Sequence, residues 1–162
     1  MKKLSVSLFF LILMTLVFLV PDAAAEKITG NNKSERIISQ TIATPGDKAG
    51  HVMIQTVTMS KTTSSNTEWN DVMMVDYQHL DQFEAGGNHM GYGYHKHKNG
   101  DTTYFKYSGT QKPAGEGAMS LEGKYEWTGG TGKFKNIKGG GAYTCKGTTT
   151  HNSCDWQGDV EY

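Results

Sequence analysis

The run Gly129-Gly130-Thr131-Gly132-Lys133-Phe134-Lys135-Asn136-Ile137-Lys138-Gly139-Gly140-Gly141-Ala142-Tyr143, followed by Cys145, Cys154 and the ending Asp155-Trp156-Gln157-Gly158-Asp159-Val160-Glu161-Tyr162, decides the fold. Glycines permit tight turns and close strand approach, and aromatic residues stand between them. Cys154, Trp156, Gly158, Val160 and Tyr162 share one face of an extended chain, opposite Asp155, Gln157, Asp159 and Glu161. Further upstream, Met119, Leu121, Gly123, Tyr125 and Trp127 alternate with Ser120, Glu122, Lys124 and Glu126. Alternation with a period of two marks half-buried antiparallel strands.

Working outward, the chain divides into segments of strand length bounded by turn residues. The polar stretch Glu26 to Glu35 reads as a loose lead. Strands are predicted over Arg36 to Thr44, His51 to Ser60, Glu68 to Leu80, His89 to His97, Thr102 to Ser108, Ala118 to Thr128, Ala142 to Lys146 and Cys154 to Tyr162. Asn99-Gly100 favours a tight hairpin turn between the fourth and fifth. Lys133 to Ile137 has room for one helical turn at most. Eight sequential antiparallel strands leave exposed edges unless the sheet closes or doubles on itself. Glycines within strands (Gly91, Gly93, Gly123, Gly158) fit the bends of barrel closure. The expected class is therefore all-β, a single antiparallel barrel of roughly eight strands, with a β-sandwich as the structural competitor.

Residues 1–25 read as a signal peptide: Lys2 and Lys3, an apolar run from Leu4 to Val20, Pro21, then Ala23-Ala24-Ala25. Its competitor is an uncleaved anchor, since the run approaches the lower limit of a membrane span. The remaining residues 26–162 form one barrel domain, expected to be periplasmic or secreted and without stable membrane insertion of the mature chain. Without Lys2, Lys3 and Asp22 the 16 basic and 16 acidic residues become 14 and 15. Such a balance gives no electrostatic footprint for nucleic acid. Cys145 and Cys154 are the only cysteines, and in an exported chain the pair reads as a structural disulfide, the spacing being wrong for Cys-x-x-Cys.

The segment Gly130-Thr131-Gly132-Lys133-Phe134, with Ile137, Gly139, Gly141 and Tyr143, resembles the GTGxFxxIxGxGxY element of allene oxide cyclase-like barrels, a superfamily that looks related to plant dirigent proteins. Trp156-Gln157-Gly158 is similar to its final strand, and Gly91-Tyr92-Gly93-Tyr94 with Asn99-Gly100-Asp101 resembles the mid-barrel hairpin of small exported bacterial members. The resemblance covers Gly91 to Tyr162. It implies a calycin-like closed barrel, and relatives that cyclise reactive hydrophobic intermediates or steer radical coupling. The cyclase catalytic residues find no counterparts here, so no active site is carried over. Relatives of this kind are often oligomeric, which makes a homo-oligomer an option, but no oligomer-specific pattern stands out.

Chemistry is sought upstream. On the third strand, Trp69, Asp71, Met73, Val75, Tyr77 and His79 share one face, and Asn70, Val72, Met74, Asp76 and Gln78 the other. If the first set faces inward, Asp71, Tyr77 and His79 are acid–base candidates; if the second does, Asp76 is. Either set can also sit at a barrel mouth and do no chemistry. Trp69, Met73, Tyr77, Tyr92, Tyr94, Phe105, Tyr107 and Trp127 are the expected ligand-binding side chains, although core packing uses the same residue types. His89, His95 and His97 are a weak metal-ligand pattern beside the plainer reading of a solvated hairpin end. No cofactor is expected. The Gly129 to Lys133 turn lacks phosphate-loop spacing. The expected role is binding a small hydrophobic or aromatic molecule in or at the mouth of the barrel. The alternatives are a cofactor-free cyclase or isomerase, and a filled barrel acting as an interaction module.

Overall fold

A computed structural model describes residues 25–148 and 150–162, so the leader reading falls on residues outside those described, apart from Ala25. Among the described residues eight strands run β1 (Glu26–Ala43), β2 (Val52–Ser64), β3 (Met73–Phe83), β4 (Gly86–Lys96), β5 (Thr102–Pro113), β6 (Met119–Gly130), β7 (Lys138–Gly147) and β8 (His151–Glu161), with one 3₁₀ turn at Gly132–Phe134. Each pairs antiparallel with the next, and β8 pairs back onto β1, closing the barrel. The sandwich alternative is thereby excluded. Among the described residues no helix is long and apolar enough to cross a membrane.

The stretch from Glu26 to Glu35 corrects the sequence reading. It is no loose lead: it is the strand that closes the barrel, matched to β8 from Glu26↔Val160 to Glu35↔His151 and to β2 from Gly30↔Ser64 onward. Its polarity concealed it. Only Ile28, Asn32 and Ser34 of this segment are buried, and Asn32 is satisfied inside by accepting from the Trp156 indole N–H at 3.2 Å.

Interior packing follows one recurring device. A glycine on one strand faces an aromatic ring directly opposite on the next: Gly30↔Trp156, Gly91↔Tyr107, Gly93↔Phe105, Gly123↔Tyr143 and Gly141↔Tyr125. At Gly30, Gly91, Gly93 and Gly123 an added Cβ would overlap that opposing ring. An eight-stranded barrel is barely wide enough for its own side chains. Removing a side chain from every second partner lets the rings lie flat across the interior.

The rings divide the interior. The β5–β8 side carries Phe105, Tyr107, Tyr125, Trp127, Tyr143 and Trp156; the β1–β3 side carries Asn32, Ser34, Thr56, Thr58, Ser60, Thr62, Asp76 and Gln78. One end is plugged. Trp69 is fully buried there, with its ring 4.8 Å from that of Trp127 and 5.9 Å from that of Phe134. Phe134 reaches the plug from the 3₁₀ turn, and the segment near Lys133 makes no more than that single turn. The disulfide Cys145–Cys154 joins directly opposed residues of β7 and β8 towards the other end.

At that other end the β1–β2 connection is held by His51. Its Nδ1 faces Asp47 and its Nε2 lies 2.8 Å from Asp81 Oδ1, while its ring lies 4.3 Å from Phe83, over which Lys48 is placed. Both ring nitrogens meet carboxylates, so the imidazolium is the form that satisfies both. The hydrogen bond to Asp47, then that to Asp81, raises the His51 pKa against burial.

Two outcomes are expected. Gly93→Ala forces a methyl into the Phe105 ring and the Val75 carbonyl and should cost about 1–3 kcal/mol in thermal or urea unfolding. The His51 clasp stabilises fully below the ordinary histidine pKa, about 6.5, and is lost as pH rises through its raised folded value. Protection factors of the amides over residues 44–51, corrected for intrinsic exchange, should therefore fall above that range, and His51→Gln should abolish that fall.

Candidate functional site

Strand β3 decides which side chains enter the barrel. Asp71 adopts a left-handed backbone conformation (φ 60°), and this reversal shifts the phase between Trp69 and the strand. Trp69 points into the plug, whereas Met73, Tyr77 and His79 lie outside. The inward set of the strand is Met74, Asp76, Gln78 and Leu80. Of the two arrangements the sequence allowed, the second is the one formed.

Asp76 sits in the middle of the barrel, buried, where the polar and aromatic sides meet. Tyr107 on β5 donates to its Oδ1 at 2.6 Å, and Thr58 on β2 donates to its Oδ2 at 3.1 Å. Burial pushes its pKa up to about 6, although the hydrogen bonds from Tyr107 and Thr58 and the charge of half-buried Arg36 all favour the anion. Desolvation in the low-dielectric interior outweighs all three. The Tyr107 hydroxyl is raised well above its ordinary value, first by burial and then by Asp76.

Beside them lies a cavity of about 100 Å³. Phe105, Trp127 and Trp156 form its aromatic wall, Asp76, Asn32 and Thr58 its polar one, and Cys145–Cys154 with Leu121 and Asn152 its far end. Within hydrogen-bonding chemistry, the wall offers two buried groups that lack a protein partner, the Tyr125 hydroxyl and the Trp127 indole N–H. Both are donors to an incoming oxygen. His95 also lines the cavity, and its pKa is lowered to about 3 by burial and then by His97, so it stands there neutral.

The histidines are not at a solvated hairpin end. His89, His95 and His97 are all buried. Glycine-rich β4 gives them room and its alternation turns them inward. His97 bonds the Glu68 carbonyl at 3.0 Å through Nδ1 and stacks on Phe134, which makes it part of the plug. His89 Nε2 meets the Tyr143 hydroxyl at 2.6 Å, and burial lowers its pKa to about 4. Among the described residues no three His, Cys, Asp or Glu side chains come together to hold a metal.

The expected site residues thus separate. Asp76, Phe105, Tyr107 and Trp127 meet at the cavity, whereas Trp69 does not line it and packs against Trp127 in the plug. Asp71 is exposed and bonded to Lys61 at 2.8 Å and Lys98 at 3.5 Å. Met73, Tyr77, His79 and Tyr92 are exposed and Tyr94 half-buried on the outer face, because odd-numbered positions of β3 and even-numbered positions of β4 point outward. Thr58, Arg36, Asn32 and Tyr143 are polar groups of the interior that residue type alone did not single out. The alternation Thr56, Thr58, Ser60, Thr62 was their available signal.

No family model matches the chain, and no curated protein matches it. Among solved structures it is similar to the pterocarpan synthase dirigent protein PsPTS1, with 12% identity, a TM-score of 0.50 and coverage of 85% of this chain and 96% of that one. It is likewise similar to the pterocarpan synthase dirigent protein GePTS1, with 11% identity, a TM-score of 0.50 and coverage of 85% and 86%. The chain has the dirigent barrel fold.

The raised Asp76 pKa has a definite sign. The unfolded side chain releases its proton near 3.8 and the folded one near 6, so stability is greatest below that interval and falls as pH rises through it. Asp76→Asn should flatten this dependence and add up to about 3 kcal/mol of stability at neutral pH, read from unfolding midpoints between pH 4 and 8.

Proposed function

We propose that the barrel binds a small hydrophobic or aromatic molecule in its interior, and that the cavity beside Asp76 is the binding site. The observation that carries this reading is the composition of the cavity: an aromatic wall, two partnerless donors and one buried carboxylate, at the midpoint of a barrel plugged at one end. Some 100 Å³ is less than the roughly 300–1,000 Å³ of a typical ligand pocket. It suits one ring of a ligand, with the remainder directed towards the disulfide end. The fold shared with dirigent proteins supports the same reading, since two neighbours are described as pterocarpan synthases.

Asp76 favours a second use of the same site, a cofactor-free cyclase or isomerase. A carboxyl group titrating near 6 can both donate and accept a proton close to neutrality. Tyr107 holds one of its oxygens, and neutral His95 offers a further hydrogen-bonding group at the same cavity. Catalysis would consist of holding a reactive intermediate in one conformation while Asp76 moves its proton.

The Cys145–Cys154 disulfide fits an oxidising compartment. Together with the apolar run Leu4 to Val20, it supports export, and the shared barrel fold supports an outlying relative of the allene oxide cyclase-like and dirigent barrels.

Ligand extraction from the purified protein, followed by mass spectrometry and a thermal-shift screen of small aromatic compounds, tests the binding. A bound compound should quench tryptophan fluorescence, and Leu121→Trp, which fills the cavity, should weaken it at least tenfold. If nothing co-purifies and no compound shifts the melting temperature, the binding reading fails. For the catalytic reading, Asp76→Asn should lower turnover about 10²–10⁴-fold while binding persists, and the wild-type rate should show an inflection near pH 6.

A further inference from the structure

We propose that the outside of the barrel carries a site for a soft monovalent metal ion, Cu(I), built from His79 on β3, Met90 on β4 and Met53 on β2. Register brings the three together. His79 stands directly opposite Met90, and on its other side opposite Gln55, two residues from Met53 on the same face of β2. Directly opposed residues have Cβ atoms about 4.5–5.5 Å apart and diagonal neighbours lie about 7–8 Å apart, a span that long side chains bridge. One imidazole on the middle strand is thus bracketed by two thioethers. Each sulfur sits on a flexible, unbranched stem that can turn it towards a common point.

Packing does not account for these methionines. Strand β2 turns Thr56, Thr58 and Ser60 inward and leaves Met53 and Met59 outside, the reverse of the order that water and a core impose. Met90 is 58% and Met53 38% exposed, and His79 is exposed between them. Tyr77 and Tyr92, one position along, face each other and so have apolar company. Met53 instead pairs with Asp81, and Met90 with His79 on one side and Ser108 on the other. Two thioethers among polar neighbours, on either side of an imidazole, are ligand chemistry rather than core chemistry.

The donor set selects the metal. Thioether sulfur is soft and favours Cu(I), and imidazole is compatible with the same ion. Zinc is bound instead through several imidazole, thiolate or carboxylate ligands. Such ligands are already committed here: Asp81, opposite Met53, is bonded by His51 Nε2 at 2.8 Å, and Cys145 and Cys154 are joined to each other. Cu(I), with its filled d shell, is satisfied by two or three soft or borderline donors, which is what the row supplies. None of the three residues lines the interior cavity, so this site is independent of the ligand proposed there.

Competition with bicinchoninate for Cu(I) under anaerobic ascorbate, which leaves the Cys145–Cys154 disulfide closed, tests the site. The wild type should hold a single ion per chain. Met53→Leu with Met90→Leu, which keeps side-chain volume, should weaken binding about a hundredfold, and His79→Gln about tenfold. Met59→Leu with Met73→Leu, at methionines 40% and 39% exposed on the same strands as Met53 and His79, should change nothing. As an independent readout, Ag(I), which is redox-inert, should shift the ¹³C-methyl signals of Met53 and Met90 and leave those of Met59 and Met73 in place. A wild type that takes no Cu(I) from bicinchoninate overturns the proposal, as does a folded His79→Gln variant that binds like the wild type. Equal shifts at all four methionines overturn it too and mean adventitious thioether binding only. So does a site that takes Zn(II) in preference to Cu(I).

Discussion

Everything inside this barrel depends on glycines standing opposite aromatic rings. Eight strands enclose too little space for a side chain at every inward position once several of those are tryptophan or tyrosine. Pairing Gly30 with Trp156, Gly91 with Tyr107, Gly93 with Phe105 and Gly123 with Tyr143 removes one side chain so that its neighbour can lie across the gap. The rings fill one side of the interior and leave the other to hydroxyls and amides. The cavity is what remains between the two.

That division also explains Asp76. A carboxylate within an all-aromatic interior would be close to intolerable, and one at the mouth would be ordinary. Asp76 sits at the boundary, with one oxygen held by Tyr107 from the aromatic side and the other by Thr58 from the polar side. Burial outweighs these hydrogen bonds, so its proton is held more tightly than usual yet remains available near neutral pH. The polar lining of β1–β3 has a counterpart on the opposite surface. Strands that put threonine and serine inside place methionine, valine and tyrosine outside, so the polarity of the interior and the apolar outer face are two aspects of one alternation.

How much of this was legible depended on the strand. In β6 and β8 charged residues alternate with aromatic ones, and water beside one face makes the direction of each side chain plain. Strand β3 gave two faces of nearly equal apolar weight, because its outer face is itself apolar. Both sets were readable, and neither could be chosen from Trp69 to His79 alone. Residues 26–35 look like a polar lead because their inward positions include Asn32 and Ser34, and the partner of Asn32, Trp156, is more than a hundred residues away. His89, His95 and His97 were visible as a group. Their burial was not, since lysines and an Asn-Gly turn surround them in the chain while tryptophan and phenylalanine surround them in space.

By itself the sequence determined the class of fold, the number of strands, the turn chemistry after Gly129 and the partnership of Cys145 with Cys154. These are short-range properties, set by alternation, by glycine's lack of a Cβ and by a count of two cysteines. Only the tertiary structure decided which face of β3 is inside, that β1 closes the barrel, and that Asp76 lies between Tyr107 and Thr58. It alone set His79 on β3 between Met53 on β2 and Met90 on β4. Those facts follow from register, and register is fixed by pairings between residues far apart in the chain.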